Sequence, residues 1–271
     1  MEFLQITNNP DLARRCDAMP GMRLFVDLEH HGKAQRQAGR NTFLSQHVLE
    51  DVGRVKAVLR QSPLMVRLNP LHADSAAEVN AALALGADRL MLPMFRRADE
   101  LAAFTRLVAG RAPVTALLET ADALHTLPEW IATAGMDEVY VGLNDLHIAL
   151  ECRFMFEPLA QGVVDRVARA AHAQGLRFGF GGIARCGEGL LAGEAVLGEH
   201  LRLGSQAVIL SRTFHRPDAQ ETFEEAVTRL RGMQISLVAR SAAQIETDRQ
   251  RTNTLVAEIV ARMPDAPEPS Q

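Results

Sequence analysis

Two carboxylates close two consecutive apolar runs of this chain, and their spacing suggests that they share a cation. Glu119 ends Val114-Thr-Ala-Leu-Leu-Glu119, and Asp145 follows Val139-Tyr-Val-Gly-Leu-Asn144. Short runs of Val, Leu and Tyr read as buried parallel strands, and a carboxylate just past the C-terminal end of such a strand faces a pocket. The two are 26 residues apart, which leaves room for one helix-sized connection. Neighbouring strand ends could therefore hold one hard divalent cation between oxygen donors. The plainer alternative is that each carboxylate caps the following helix or binds a surface arginine.

The elements that must position these groups follow an alternating pattern. Strands are expected near 2–7, 23–28, 64–68, 88–92, 114–119, 138–142, 176–181 and 206–210, mostly as short apolar runs ended by Gly, Pro, Asn or Asp. Helical stretches lie between them, including Ala76–Leu85, Ala98–Val108 and Val163–Gln174. Asp74 and Asp99 are plausible caps, and Gly86, Gly110 and Gly175 plausible stops. The pattern predicts an α/β fold, a single (β/α)8 TIM barrel with function at the C-terminal strand ends. An open doubly wound sheet is the alternative, weakened because no Gly-x-Gly-x-x-Gly follows the first strand.

The barrel core is expected over residues 1–217. Residues 218–263 read as an extended C-terminal helical segment, and 264–271, with three prolines, as a disordered tail. In the helical segment Ile235, Val238, Ala242, Ile245, Leu255, Ile259 and Val260 recur at near-helical spacing, to pack either on the barrel or on another subunit. The polar stretch Gly32–Gln46, with Lys33, Arg36 and Arg40, reads as a loop over a pocket.

Composition narrows the function. A hydrophobic content of 47% is enough for one large core, and a formal charge of −4 argues against a nucleic-acid partner, which needs a basic face. No run is long enough to span a bilayer, so no membrane partner is expected. Cys16, Cys152 and Cys186 have no paired spacing and read as reduced thiols. With no basic, apolar leader at the N-terminus, the expected address is cytoplasmic.

The other strand ends complete a constellation. Strand two ends in Asp27-Leu-Glu-His-His31, strand three in Val66-Arg-Leu-Asn-Pro70 and strand four in Leu90-Met-Leu-Pro-Met94. In this order, together with Ala98-Asp-Glu100, Leu118-Glu-Thr120 and Val141-Gly-Leu-Asn-Asp-Leu146, they resemble the HpcH/HpaI aldolase and citrate lyase β-subunit family of the pyruvate/phosphoenolpyruvate barrel superfamily. The resemblance runs from about Phe25 to Phe214.

The resemblance implies a lyase of the metal-dependent aldolase type, with Glu119 and Asp145 as ligands of Mg²⁺ or Mn²⁺. It implies a pyruvate-like 2-oxo acid on the metal, and carbon–carbon cleavage or formation through an enolate. Arg67 matches the arginine that stabilises the enolate, the alternative being a structural ion pair. His30 matches the proton-shuttling histidine, with Asp27 to orient it, the alternative being a solvent-facing loop histidine. A small-molecule 2-oxo or hydroxy acid is the expected substrate and a homo-oligomer the expected assembly. A citrate-lyase-like or malyl-CoA-lyase-like enzyme acting on an acyl thioester, and a non-catalytic metabolite-binding barrel, are the rival readings.

Asp27-Leu-Glu29 has the flavour of citrate lyase β subunits and Glu29-His30 that of HpaI-type aldolases, so the chain stands between two branches of the family. Two late segments, Gly179–Gly187 and Leu210–Phe214, follow strands seven and eight, where barrels often bind anions. Gly181 and Gly182, with Arg185 and Arg212, are candidates to hold a substrate carboxylate or phosphate. A tight turn with structural arginines is the alternative there.

Overall fold

Short runs of Leu, Val, Phe and Met alternate with helices along the chain, and the strands they form are buried on both faces. The computed structural model describes residues 1–32, 46–216 and 220–263. Lys33, Arg36 and Arg40 of the expected pocket loop, and the tail 264–271, lie outside the described residues. The strands are β1 (Glu2–Ile6), β2 (Met22–Asp27), β3 (Leu64–Arg67), β4 (Arg89–Leu92), β5 (Val114–Leu118), β6 (Glu138–Val141), β7 (Arg177–Ile183) and β8 (Ala207–Leu210). Neighbours pair in parallel in chain order, and β8 returns to β1 to close an eight-stranded barrel. The expected (β/α)8 architecture is therefore what forms.

The described helices are α1 (Pro10–Asp17), α2 (Leu49–Lys56), α3 (Ser75–Ala84), α4 (Ala98–Val108), α5 (Ala121–His125), α6 (Leu127–Trp130), α7 (Leu143–Ala149), α8 (Glu157–Ala160), α9 (Val163–Ala173), α10 (Gly193–Arg202), α11 (Phe223–Val238) and α12 (Ala242–Arg262). Asp74 precedes α3 without a side-chain capping bond. Asp99 is not the cap of α4 but sits inside its first turn, where Glu100 instead accepts from the backbone N–H groups of Arg96 and Arg97. The helices α11 and α12 pack on α10, and α12 also on α8. On α11 the buried residues are Phe223, Ala226, Val227 and Leu230, whereas Ile235 and Val238 are 75% and 66% exposed.

Side chains alternate across each strand, so the residues at i, i+2 and i+4 share the barrel interior. This divides the lumen into three levels. The lowest is ionic: Glu138 lies 2.7 Å from Arg23 and 3.2 Å from Arg177, and Arg177 lies 2.9 Å from Glu2. Burial pushes the Glu138 carboxyl up, but the charges of Arg23 and Arg89 overcome it and hold the group down at about 2. Above this, Leu4, Phe25, Met65, Met91, Leu117, Tyr140 and Ala207 form an apolar level. Fully burying one such Leu or Phe contributes about 1.5–3 kcal/mol. One alternation further up β2, β3 and β5 come Asp27, Arg67 and Glu119.

The glycines of β7 serve this packing. A Cβ at Gly179 would lie 2.7 Å from the Tyr140 ring, so the ring occupies the space a side chain would need. The Tyr140 hydroxyl then donates to the Gly181 carbonyl (2.6 Å) and accepts from the Ile209 N–H (2.9 Å), filling the register shift between β7 and β8.

Outside the barrel, His200 of α10 is fully buried, stacks on Phe180 at 3.7 Å and has Nδ1 2.8 Å from the Ser205 hydroxyl. Burial pushes its imidazole down to about 3. Below the unfolded histidine value of about 6.5 only the unfolded chain takes up this proton. His200 thus contributes stability that is complete above about pH 6.5 and is lost as pH falls toward 3. Urea midpoints compared at pH 7.5 and 5 should show His200→Phe losing less stability on acidification than the parent. An equal loss in both would mean the ring is accessible to solvent protons.

Candidate active site

Among the described residues, the upper level of the lumen collects four buried carboxylates and the Arg67 guanidinium. Asp27, Glu29, Glu119 and Asp145 are 3%, 1%, 2% and 8% exposed. Arg67, from the end of β3, donates through Nε and Nη2 to the two oxygens of Asp27, both at 2.8 Å. The fork geometry of such a pair leaves the guanidinium little freedom. Its Nη1 lies 3.3 Å from Glu29 Oε2. Burial alone would lower the Arg67 pKa, but the charges of Asp27 and Glu29 more than reverse this and raise it.

Neither metal-ligand candidate is a helix cap. Thr120 caps α5 through its hydroxyl, and Gly142 stands at the N-cap of α7. Glu119 and Asp145 instead line one cavity of about 330 Å³ with Met94, Arg96, Thr120, Asp122 and Ile148. Glu119 Oε1 accepts from the Met94 N–H at 3.1 Å. Met94 adopts φ 56°, an uncommon conformation for a residue with a side chain, and it is this turn that presents the N–H. Burial first, and then the negative charges of Glu29 and Asp145, push the Glu119 carboxyl well above the ordinary carboxylate range. Arg67 opposes that shift without cancelling it.

The histidine expected to work with Asp27 is placed differently. His30 is exposed, and its Nε2 lies 2.9 Å from the His47 carbonyl. A carbonyl only accepts, so Nε2 carries the hydrogen and a neutral ring keeps its lone pair on Nδ1. Asp27 grips Arg67 rather than orienting His30. The His30 backbone is held by Asn69, whose Oδ1 accepts from the N–H groups of His30 (2.9 Å) and His31 (3.1 Å). Asn69 is fixed in turn by Glu78 of α3, at 2.6 Å. His47 accepts the Asp27 N–H on Nδ1 at 3.1 Å, closing the loop from β2 to the segment before α2.

Sequence reasoning missed Asn69, His47 and the part played by Glu29. Asn69 stands two residues past Arg67, where a strand-end amide could have been read as a backbone clamp. His47 carries no local signal.

The late-strand candidates separate. Arg185 is 3% exposed, donates to the carbonyls of Phe214 and Glu221 at 2.9 and 2.8 Å, and lies over the Phe214 ring. Its guanidinium is committed to holding the loop after β8, which is the structural alternative. Gly181 and Gly182 belong to the bulged part of β7. Arg212 is exposed at the start of the short 3₁₀ turn Arg212–His215, at the same end of the barrel as Arg67.

The donor set fits a hard divalent cation. Two buried carboxylates face one cavity, and among the described residues no group of three or more His, Cys, Asp or Glu converges on a point. A cation held this way would draw its remaining ligands from water and substrate, as magnesium-type ions do.

The model of the HpcH/HpaI aldolase/citrate lyase family matches residues 2–178. The chain belongs to this family. Membership supports a lyase. Among solved structures, the HpcH/HpaI aldolase from Desulfitobacterium hafniense DCB-2 is 17% identical over 89% of this chain and 93% of its own, with a TM-score of 0.60. A family protein from Burkholderia cenocepacia J2315 is 18% identical over 88% and 95%, with a TM-score of 0.61. CitE from Mycobacterium tuberculosis, in complex with magnesium, acetoacetate and coenzyme A, is 18% identical over 98% and 90%, with a TM-score of 0.57. At these identities the structures share the HpcH/HpaI barrel with this chain. No curated protein matches the sequence. No described helix is long and apolar enough to cross a membrane.

Breaking the buried Asp27–Arg67 fork should be costly, because Arg67 would keep only its longer contact to Glu29. Asp27→Asn is expected to lose about 3 kcal/mol in urea denaturation at neutral pH. Stability equal to the parent would show that the pair does not form in solution.

Proposed function

We propose that this HpcH/HpaI-family protein is a divalent-metal-dependent lyase that cleaves or forms the carbon–carbon bond between the α- and β-carbons, counted from the keto group, of a 2-oxo acid aldol, with a pyruvate-like enolate on one side of the bond. The observation that supports this most is the joint placement of Glu119 and Asp145 on one cavity beside the clamped Arg67. Glu119 and Asp145 would hold Mg²⁺ or Mn²⁺, which supplies Lewis-acid polarisation of the keto oxygen.

The chain's own groups address the rest of the barrier. Negative charge develops on the former keto oxygen, and a positive group already fixed in place stabilises it without reorganising. Arg67 is such a group, since Asp27 and Glu29 hold its guanidinium from two sides. His30 offers Nδ1 as the base for the hydroxyl proton, its other nitrogen being engaged by the His47 carbonyl. Arg212, exposed at the same end of the barrel, is the remaining candidate for a carboxylate of the substrate, whereas Arg185 would steady the loop beneath it. A homo-oligomer would cover Ile235 and Val238 of α11.

Proton exchange at the methyl group of pyruvate tests the enolate half-reaction before any electrophile is known. In D₂O with Mg²⁺ or Mn²⁺, NMR should show deuterium entering the methyl group and EDTA should stop it. Arg67→Ala should slow exchange by about 100-fold or more, and Asp145→Ala should abolish the metal dependence. Absence of exchange with either metal would sink the 2-oxo acid reading. Binding of coenzyme A in that case would move the assignment to an acyl thioester.

A further inference from the structure

Gly142 has no conformational reason to be glycine. Its φ of −81° and ψ of 83° lie outside the left-handed region that favours the residue. The reason is space. A Cβ built there would lie 2.7 Å from Glu119 Oε2, 3.0 Å from Glu119 Cβ and 3.2 Å from Leu117 Cδ1. The carboxylate therefore rests where a side chain at 142 would stand.

The opposite side of the same carboxylate is also held, because Oε1 accepts the Met94 N–H at 3.1 Å. A group fixed on one oxygen and seated on bare backbone at the other has little room to move. Gly142 also acts on the second carboxylate through the main chain. Its N–H continues the ladder to the Leu118 carbonyl at 2.9 Å, and its carbonyl accepts from Leu146 at 3.0 Å, in the helix that carries Asp145.

The geometry points to Gly142 as a positioning residue of the cation site. Its missing side chain seats Glu119 while its backbone sets the start of the helix bearing Asp145. The inference rests on the metal-site reading above and deepens it.

An added methyl group has two ways out. The carboxylate, as the far end of a side chain, can give up its Met94 contact and swing aside while the fold stays intact, or the Glu119 and Leu117 chains must shift together. The first route leaves the protein folded and spoils the ligand, which separates a positioning role from a merely structural one.

The test measures Mn²⁺ binding to the metal-free protein by calorimetry, alongside the melting temperature. Gly142→Ala should weaken binding by about 10- to 100-fold with a native circular dichroism spectrum. Gly232→Ala is the control, since nothing lies within 4 Å of a Cβ there, and it should bind as the parent does. Unchanged affinity in Gly142→Ala, with a parent that binds, overturns the inference and leaves the metal site standing. A parent that does not bind Mn²⁺ overturns the metal-site reading and this inference with it. If Gly142→Ala lowers the melting temperature, Glu119→Ala in the same chain should remove most of that loss, because the colliding oxygen is gone. A loss that persists in the double variant would assign the glycine to packing on Glu119 Cβ and Leu117 and overturn the proposal.

Discussion

Asp27 and Glu29 hold the guanidinium of Arg67 at the top of this barrel, and much of the upper structure is arranged around that contact. Asp27 and Glu29 lie directly on Arg67, while Glu119 feels Glu29, Arg67 and Asp145 together. Burial and like charges favour the protonated form of a carboxylate, and a neighbouring cation favours the ionised form. Glu119 shows the first effect, its carboxyl being pushed above the ordinary range by burial and by the charges of Glu29 and Asp145. The proposed divalent cation would supply the second.

The lower end of the lumen shows the same residue type under the opposite condition. Glu138 is as deeply buried as Glu119, yet Arg23 and Arg177 lie within hydrogen-bond reach and its proton is held only in strong acid. Burial is common to both glutamates; the count of neighbouring cations is not. A carboxylate gripped by arginines is a fixed plug, and one pushed toward its protonated form is a place where a bound cation can complete the charge.

How much of this was legible in the sequence depended on the range of the interaction. Strand positions were readable because a buried parallel strand is a short apolar run with clear ends, and each observed strand falls within two residues of its expected place. Asp27, Arg67 and Glu119 were readable because each continues the inward alternation of its strand. Their partners were not. Asp27 stands three residues before His30, yet the closure of β2 on β3 gives it to Arg67, 40 residues away. Asn69 and His47 reach the site only through folding. Arg185 looked like an anion binder from its neighbouring glycines, but those glycines are spent on the Tyr140 ring and the β7 bulge. The apolar positions Ile235 and Val238 had helical spacing without a core to face, since the buried stripe of α11 is set by Phe223, Ala226, Val227 and Leu230.

The apolar level between the two ends, from Leu4 and Phe25 to Leu117 and Tyr140, does more than fill volume. It acts as a stopper that separates two ionic compartments and closes the lumen to through-traffic. Among the described residues the upper compartment therefore opens at the C-terminal strand ends and not through the lumen. A substrate bound there would enter and leave on that side. For a reaction that divides one molecule into two, the fragments must queue, and the one nearer the opening must leave before the one behind it is free to go.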